Sequence, residues 1–396
     1  MTASGIVGVG ETPYRTKRPD AGYVELVQEA AFAALRMAQL TPADVDAVVF
    51  AMAPTEFAGI TDVEKQVVGA IGAAGKPFMR VHLGGATGGA AALAGHYHVA
   101  SGMYDTVLVV GADKVSETRD AQKILNLIWD PFFERGFGLN TITMAALQAG
   151  RHMQLHGTTL EHLDQVSTRA WRRALRNPNA HLRGEISLEE AREAPTISWP
   201  LRRYDCCPRS TGGAAVVLSS ERVIEDRGLP AAWVTGVGSS GNTVFIGDRL
   251  GPKTLGDYGG WPELRDAAER AYAQAGITRP REELDVVESY APFSINELTA
   301  AEALGLCAPG EAGDMIADGA FDPGGEVELN PSGGTLCANP IAITGLVRTA
   351  DAALQLLDRA GDFQRPGAQR ALASAVGGSF QFQTCMILDR EKPRSR

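Results

Sequence analysis

The sequence predicts a layered α/β protein made of two similar halves. Three observations predict it. First, a pattern of helix, short proline-containing turn and buried strand occurs twice, over residues 23–50 and again over 261–290. Ala30 matches Ala267 across the two copies, and Leu40 matches Ile277. A separation this long is no solenoid period, which would run about 20–50 residues. It indicates two halves packed together, with a site near their junction. Second, short apolar runs alternate with small-residue helical stretches, as in strands covered by helices. Third, the chain has 45 glycines, many in Gly-Gly pairs, above the usual share of about 7%. Backbone must therefore approach something closely in several places. A length of 396 residues also exceeds one ordinary core.

Residues 5–10 read as a short apolar strand. Val24, Val27, Ala31, Ala34, Leu35 and Ala38 then place small apolar residues on one helical face. Residues 47–52 form a continuous apolar run, typical of a strand buried on both sides. Val81 opens a glycine turn, 90–101 reads as a small-residue helix, and 104–111 as another buried strand. From 115 to about 203 the alternation breaks, with more Arg, Trp and Pro and an amphipathic stretch near 144–155. This reads as an insertion lying over the core. Strand character returns at 212–219, and 222–228 is polar. The second half starts at 231–236, and its last strands are 370–376 and 384–388. The expected organisation is an N-terminal half over 1–225, carrying the insertion at about 115–205, and a C-terminal half over 226–396.

Composition narrows the function. The chain is 44% apolar and 21% charged, as globular proteins are. A net charge of −10 argues against a general nucleic-acid binder. Arg169, Arg172, Arg173 and Arg176 recur at helical spacing. They could form a basic groove for a phosphorylated ligand, although a solvated helix face is the commoner outcome. The five cysteines, Cys206, Cys207, Cys307, Cys337 and Cys385, show no framework spacing and no Cys-x-x-Cys pair. They suit a reducing, cytoplasmic setting and argue against a zinc ribbon within this chain. No basic, apolar secretory leader and no run of 18 apolar residues is visible, so no membrane span is expected.

Three loops carry candidate chemistry. The turn from Val81 to Ala90, with His82, Gly84, Gly85 and Ala86, joins a strand to a helix. Free N–H groups at such a helix start favour an anion or a developing oxyanion. Close helix packing would demand the same small residues. Asn330-Pro331-Ser332-Gly333-Gly334, followed by Cys337 and Asn339-Pro340, is the counterpart in the second half, before a helix at 346–357. Tyr290 ends a buried strand, where α/β sheets bind ligands, although core tyrosines are common. Three further patterns carry less. Gly236-Val237-Gly238-Ser239-Ser240-Gly241 spells a dinucleotide fingerprint, but no amphipathic helix follows it. His152 and His156 sit one helical turn apart without a Glu or Cys partner nearby in sequence, so no metal site is expected. Cys206 and Cys207 read as buried, inert thiols.

Taken in this order on a duplicated α/β chain, the three loops resemble the thiolase superfamily. The branch they resemble is that of the sterol-carrier and lipid-transfer proteins. The resemblance covers essentially the whole chain. The Asn330 motif, the stretch Glu297 to Cys307, and the strand at 104–111 paired with the glycine turn before it carry the likeness. It implies the thiolase fold: two duplicated βαβαβαββ halves in a five-layer αβαβα arrangement with an inserted loop region. The family's two five-stranded sheets sandwich helices, usually in a dimer or tetramer.

The departures from the family pattern bear on function. Where a thiolase has its nucleophilic cysteine this chain has Gly85, or Ala86 if the alignment slips. Tyr290 stands for the Asn or His after the strand. Asn339 stands for the histidine before proline, and Ala375 for the second cysteine, before Gly377-Gly378. Ordinary ping-pong Claisen chemistry therefore lacks its parts; Cys337 is near in sequence and could in principle substitute.

A related subgroup, resembling the retro-aldolases of steroid side-chain breakdown, shows the same losses. Its second tyrosine is unmatched here. The resemblance implies an aldolase-type C–C lyase acting on a β-hydroxyacyl-CoA. Tyr290 would be acid–base, acting as base through an acidified phenol. The Asn339 amide and the backbone at Gly85, Ala86 and Gly378 would hold the enolate. Gly84, Ala86, His82 and Cys337 would contact substrate. No cofactor would be bound covalently, and the substrate would be carried as a coenzyme A thioester. Implied partners are a second copy of the chain and a small zinc-ribbon, OB-fold protein. Two alternatives stay open: a non-catalytic acyl-CoA-binding subunit, and an atypical acyltransferase without the usual cysteine.

Overall fold

In the computed structural model, which describes residues 2–249 and 257–393, each half repeats one order of elements. The first runs β1 (Ser4–Glu11), α1 (Tyr23–Met37), β2 (Ala47–Ala51), α2 (Glu64–Ala70), β3 (Phe78–Val81), α3 (Thr87–Ala100) and β4 (Thr106–Asp113). The chain then makes an excursion through α4 (Ala121–Leu125), α5 (Thr141–His156), α6 (Leu160–Ala174), α7 (Leu188–Glu193) and the ribbon of β5 (Thr196–Ser198) and β6 (Leu201–Arg202). It returns to the sheet as β7 (Gly212–Ser220), and the polar stretch after it is a helix, α8 (Glu221–Arg227). The second half starts with β8 (Ala232–Ser240), α9 (Pro262–Ala275), α10 (Pro280–Glu283), β9 (Val286–Glu288) and α11 (Ser294–Ala303). It continues with α12 (Ala312–Ala317), β10 (Glu328–Leu329), α13 (Gly334–Cys337), α14 (Thr344–Leu356), β11 (Arg370–Gly377) and β12 (Phe382–Asp389).

Both halves use one strand order, β3-β2-β4-β7-β1 and β10-β9-β11-β12-β8. In each the first three strands are parallel and the last two antiparallel to their neighbours. β1 and β8 pair over Gly5↔Trp233 and Ile6↔Ala232. The two five-stranded sheets thus join at one edge into a ten-stranded order.

The side chains define five layers. Val48, Phe50, Leu108 and Val110 face outward onto Leu26, Val27 and Ala30 of α1 and Val67 of α2. Their neighbours Val49, Val107 and Val109 face inward, onto Ala91 and Ala92 of α3 and Leu346 and Ala350 of α14. Ala371, Ala373 and Met386 close over the same two helices from the second sheet. On its far side Leu372 and Ile387 meet Leu264 of α9, Leu298 of α11 and Ala145 of α5. Burial on both faces is why these strands read as unbroken apolar runs.

The glycines explain the repeat. A Cβ on Gly10 would lie 2.1 Å from the Ala30 carbonyl oxygen, and one on Gly238 would lie 1.9 Å from that of Ala267. Gly8 and Gly236 stand likewise 2.2 Å from the carbonyls of Ala34 and Ala271. The match of Ala30 with Ala267 is therefore one contact made twice, a helix backbone laid on a strand where no side chain fits. It also accounts for the fingerprint-like spacing at Gly236 and Gly238, which belong to strand β8.

The insertion is fastened by buried charge. Arg169 pairs with Glu297 at 2.6 Å and Asp322 at 2.7 Å, and donates to the carbonyls of Phe321 and Leu329. Arg173, also buried, reaches Phe321 and Asp322, while Arg172 is exposed. The arginine cluster is thus neither a phosphate groove nor a solvated face; half of it is an internal clamp. His152 is likewise satisfied internally, by Glu302 at 2.9 Å and Thr158 at 2.7 Å. A carboxylate partner does exist, brought from 150 residues away. Among the described residues no three His, Cys, Asp or Glu side chains converge as metal ligands do, and no helix is long and apolar enough to cross a membrane.

Candidate active site

Parallel strands of both halves end at one place. After β3 come His82, Gly84 and Gly85; after β9 comes Tyr290; after β11 comes Gly378. Asn339 precedes α14. These residues line a cavity of about 500 Å³, in the position where open α/β sheets take ligands. Its apolar wall includes Phe57, Ile124, Leu125, Ile142, Phe293 and Phe380, and its polar wall adds Glu56, Gln122, Cys206, Cys207 and Arg209. A wider groove of about 1360 Å³ follows the β1–β8 seam, shares no lining residue with the first, and sets Arg370 against Asp389.

Tyr290 is only 4% exposed. Its hydroxyl donates to Asn339 Oδ1 at 3.0 Å and lies 3.3 Å from the Ile341 carbonyl. Thr344 Oγ1 donates to the same Oδ1 at 2.8 Å, and Asn339 Nδ2 donates to Cys207 Sγ at 3.0 Å. Burial, and then the neighbouring Cys207, push the phenol well above its ordinary value. This corrects the sequence expectation of an acidified phenol. The hydrogen bonds with Thr344 and Asn339 oppose that rise without cancelling it, and burial keeps the neutral form. In this geometry the Tyr290 hydroxyl is a donor, and its phenol is not acidified.

The glycine turn divides between the two readings offered for it. Gly84 and Gly85 line the cavity. A Cβ on Gly88 would come within 2.5 Å of Leu346 N, so Gly88 lets α3 meet α14. One on Gly89 would come within 2.3 Å of Thr384 Oγ1 and 2.6 Å of the Ala375 methyl, so Gly89 lets α3 lie on β11 and β12. A Cβ at Gly85 would stand 2.6 Å from the Val376 carbonyl and 3.6 Å from Tyr290 Oη. The space a side chain at 85 would need is already bounded by the phenol. Gly84 and Gly378 both take positive φ, +58° and +63°, which favours glycine. Thr87 ties the turn by accepting from Leu83 N at 2.8 Å and donating to the Gly84 carbonyl at 2.6 Å.

Two expected site residues stand elsewhere. Ala86 is fully buried and its N–H is spent on the Leu83 carbonyl at 3.1 Å, so it offers no donor to an enolate. Cys337 is 0% exposed, does not line the cavity, and has its thiol pushed up by burial. Helix α13 turns it into the interior, which removes it as a substitute nucleophile. His82 does line the cavity, and burial followed by Arg80 lowers its imidazole below the usual value, leaving it neutral near pH 7. Cys207 is inert, as read from sequence, because burial pushes its thiol up to about 12, but it also lines the cavity and holds Asn339, which the sequence did not show. The Cys206-Cys207 pair was the visible signal, but its partner lies 132 residues away. Arg209, a cation on the cavity wall, gave no separate signal.

Asp113, at the end of β4, accepts from Val115 N at 2.6 Å and from Ala342 N at 2.8 Å, anchoring the segment behind Asn339. Burial pushes it up to about 7 from 3.8, although those N–H bonds oppose the rise. The folded protein then keeps a proton that the unfolded chain loses above about pH 4. Its contribution to stability is full below that pH and falls as pH rises through 7, by about 4 kcal/mol in all. Asp113→Asn is expected to flatten this dependence; melting temperatures of both proteins between about pH 5 and 8 would check it.

The sequence matches "Thiolase, N-terminal domain" over residues 4–222 and "Thiolase C-terminal domain-like" over 257–390. The chain belongs to the thiolase superfamily. Within it, the chain falls in the branch of sterol carrier protein 2. It is 30% identical to sterol carrier protein 2 of Oryctolagus cuniculus over 389 residues, covering 94% of this chain and 69% of that protein. It is 29% identical over 381 residues to an acetyl-CoA acetyltransferase of Methanothermobacter thermautotrophicus, covering 96% and 97%. It is also 29% identical over 352 residues to the 17-hydroxy-3-oxo-4-pregnene-20-carboxyl-CoA lyase of Mycobacterium tuberculosis, covering 84% and 86%. Among solved structures, the Ltp2-ChsH2(DUF35) aldolase superposes with a TM-score of 0.82 at 27% identity, over 98% of this chain and 97% of that one. Human mitochondrial 3-ketoacyl-CoA thiolase superposes at 0.73 with 17% identity, covering 98% and 99%, a likeness of fold.

Proposed function

We propose that this protein is a carbon–carbon lyase that cleaves a β-hydroxyacyl-CoA by a retro-aldol reaction. One observation carries the reading. At Gly85, where family members place a thiol, there is no side chain, and the phenol of Tyr290 borders the space instead. In the reaction the β-hydroxyl loses its proton to a base and its C–O bond becomes a carbonyl. The Cα–Cβ bond breaks, and its electron pair passes into the thioester enolate. Tyr290, held neutral, then gives its proton to Cα, and a ketone or aldehyde and a shorter acyl-CoA leave. His82 is the cavity imidazole able to take the first proton. Backbone at Gly85 and Gly378 would steady the enolate oxygen. The apolar wall of Phe57, Ile124, Phe293 and Phe380 suits a bulky lipid acyl group such as a steroid-derived one.

The likeness to the lyase and to the Ltp2-ChsH2(DUF35) aldolase supports this reading. The aldolase is named with ChsH2(DUF35), which supports a small partner protein for this chain; a zinc-ribbon and OB-fold build for that partner, and a second copy of the chain, are parts of the proposal. The exposed apolar residues of the insertion that continue from the cavity wall, Leu127 and then Phe132 and Phe137, would suit that partner. The likeness to acetyl-CoA acetyltransferases favours condensation instead. The purified protein, alone and with such a partner, should convert a β-hydroxyacyl-CoA to a ketone and a shorter acyl-CoA by mass spectrometry. Condensation of two acyl-CoA molecules, an acylated thiol, or no turnover in either setting would overturn the reading.

A further inference from the structure

The proposed chemistry leaves Cys207 without a task, yet Cys207 sits between the two loops that carry it. Its N–H donates to the Pro292 carbonyl at 3.0 Å, on the loop of Tyr290. Its sulfur receives Asn339 Nδ2 at 3.0 Å. The backbone of Asn339 is already clamped, because Ser210 Oγ takes its N–H at 3.0 Å and Ser210 N gives to its carbonyl at 3.0 Å. What remains free is the side-chain amide, whose two ends are nearly alike in shape and are distinguished only by their partners. Tyr290 and Thr344 carry hydroxyls, each able to give or to take a hydrogen bond. With either end of the amide they could be satisfied. Burial pushes the Cys207 thiol up to about 12, so the sulfur is uncharged near neutrality and no ready nucleophile.

We propose that Cys207 is a positioning residue: its sulfur takes the Asn339 Nδ2–H, which keeps Oδ1 turned to Tyr290 and holds the phenol as a donor. The inference rests on the reading that Tyr290 serves the cleavage. In Cys207→Ala nothing accepts the amide at that end, and its N–H can turn to Tyr290, where it stabilises the phenolate. Two readouts follow. The Tyr290 component of the near-ultraviolet phenolate band, read as the difference from the matching Tyr290→Phe variant because the chain has 8 tyrosines, should appear at lower pH than in the unaltered protein. The other titratable group bearing on the phenol, Asp113, is common to all these proteins. In parallel, kcat on a β-hydroxyacyl-CoA should fall about tenfold with KM within about twofold.

Cys207→Ser, which keeps an acceptor but not the thiol whose charge also raises the phenol, should restore kcat and titrate above the alanine variant. Cys207→Val, which fills the space without one, should behave as the alanine variant and stands in for it if that variant does not fold. An acceptor-free variant that titrates and turns over like the unaltered protein overturns the inference. So does a serine variant that fails as alanine does while melting normally. If the unaltered protein cleaves nothing, the absorbance titration still decides the positioning, so failure of the functional reading and of this inference give different results.

Discussion

Tyr290→Phe is expected to lower the rate of carbon–carbon cleavage by about 10²–10⁴-fold while leaving the fold intact. Phenylalanine keeps the ring in a site only 4% exposed. It loses the hydroxyl's bond to Asn339 Oδ1, but that oxygen keeps Thr344 as a donor. One neutral hydrogen bond is worth about 1 kcal/mol, so melting should change little. The large effect falls on the chemistry, because among the described residues the pocket wall offers no second phenol to give the enolate its proton. Steady-state kinetics on a β-hydroxyacyl-CoA, with melting as control, would check it. Full cleavage by the variant would remove Tyr290 from the reaction.

Glu297→Ala should act in the opposite way, on stability first. The carboxylate is buried, pairs with Arg169 at 2.6 Å and accepts from Asn330 Nδ2 at 2.7 Å. Asn330 holds a positive φ of 51° and accepts from Ser289 N at 2.7 Å, one residue before Tyr290. One side chain therefore joins the insertion, the Asn330 motif and the strand end that presents the phenol. Removing one partner of a buried pair costs about 3–5 kcal/mol, because the other charge stays buried. Denaturant unfolding should show a loss of this size, with Glu297→Gln losing less because it can still accept from Asn330. An alanine variant as stable as the unaltered protein would mean that Asp322, which also meets Arg169, suffices alone.

Much of the layered architecture was legible because burial on both faces writes itself as unbroken apolar runs. The stretches read at 47–52 and 104–111 are β2 and β4 within two residues, and the small-residue helix read at 90–101 is α3, starting three residues earlier at Thr87. That start was missed because Gly88 and Gly89 look like turn residues, and only the closeness of α14 at Gly88 and of β11 and β12 at Gly89 makes them helical packing residues. The arginine cluster misled for a similar reason. A helical stripe of charge looks solvated until Glu297 and Asp322 arrive from more than a hundred positions away.

By itself the sequence determined the duplication, the alternation of strand and helix, and the absence of thiols at Gly85 and Ala375. Those properties are local, carried by residue size and polarity along a short stretch. The tertiary structure alone decided that Tyr290 is a donor, that Asn339 is held by Cys207, and that Cys337 is turned away. A hydroxyl gives or takes according to what folding places around it. Here those neighbours lie 49 and 132 residues apart in the chain, and the dryness that keeps the phenol neutral exists only once both halves have closed over it.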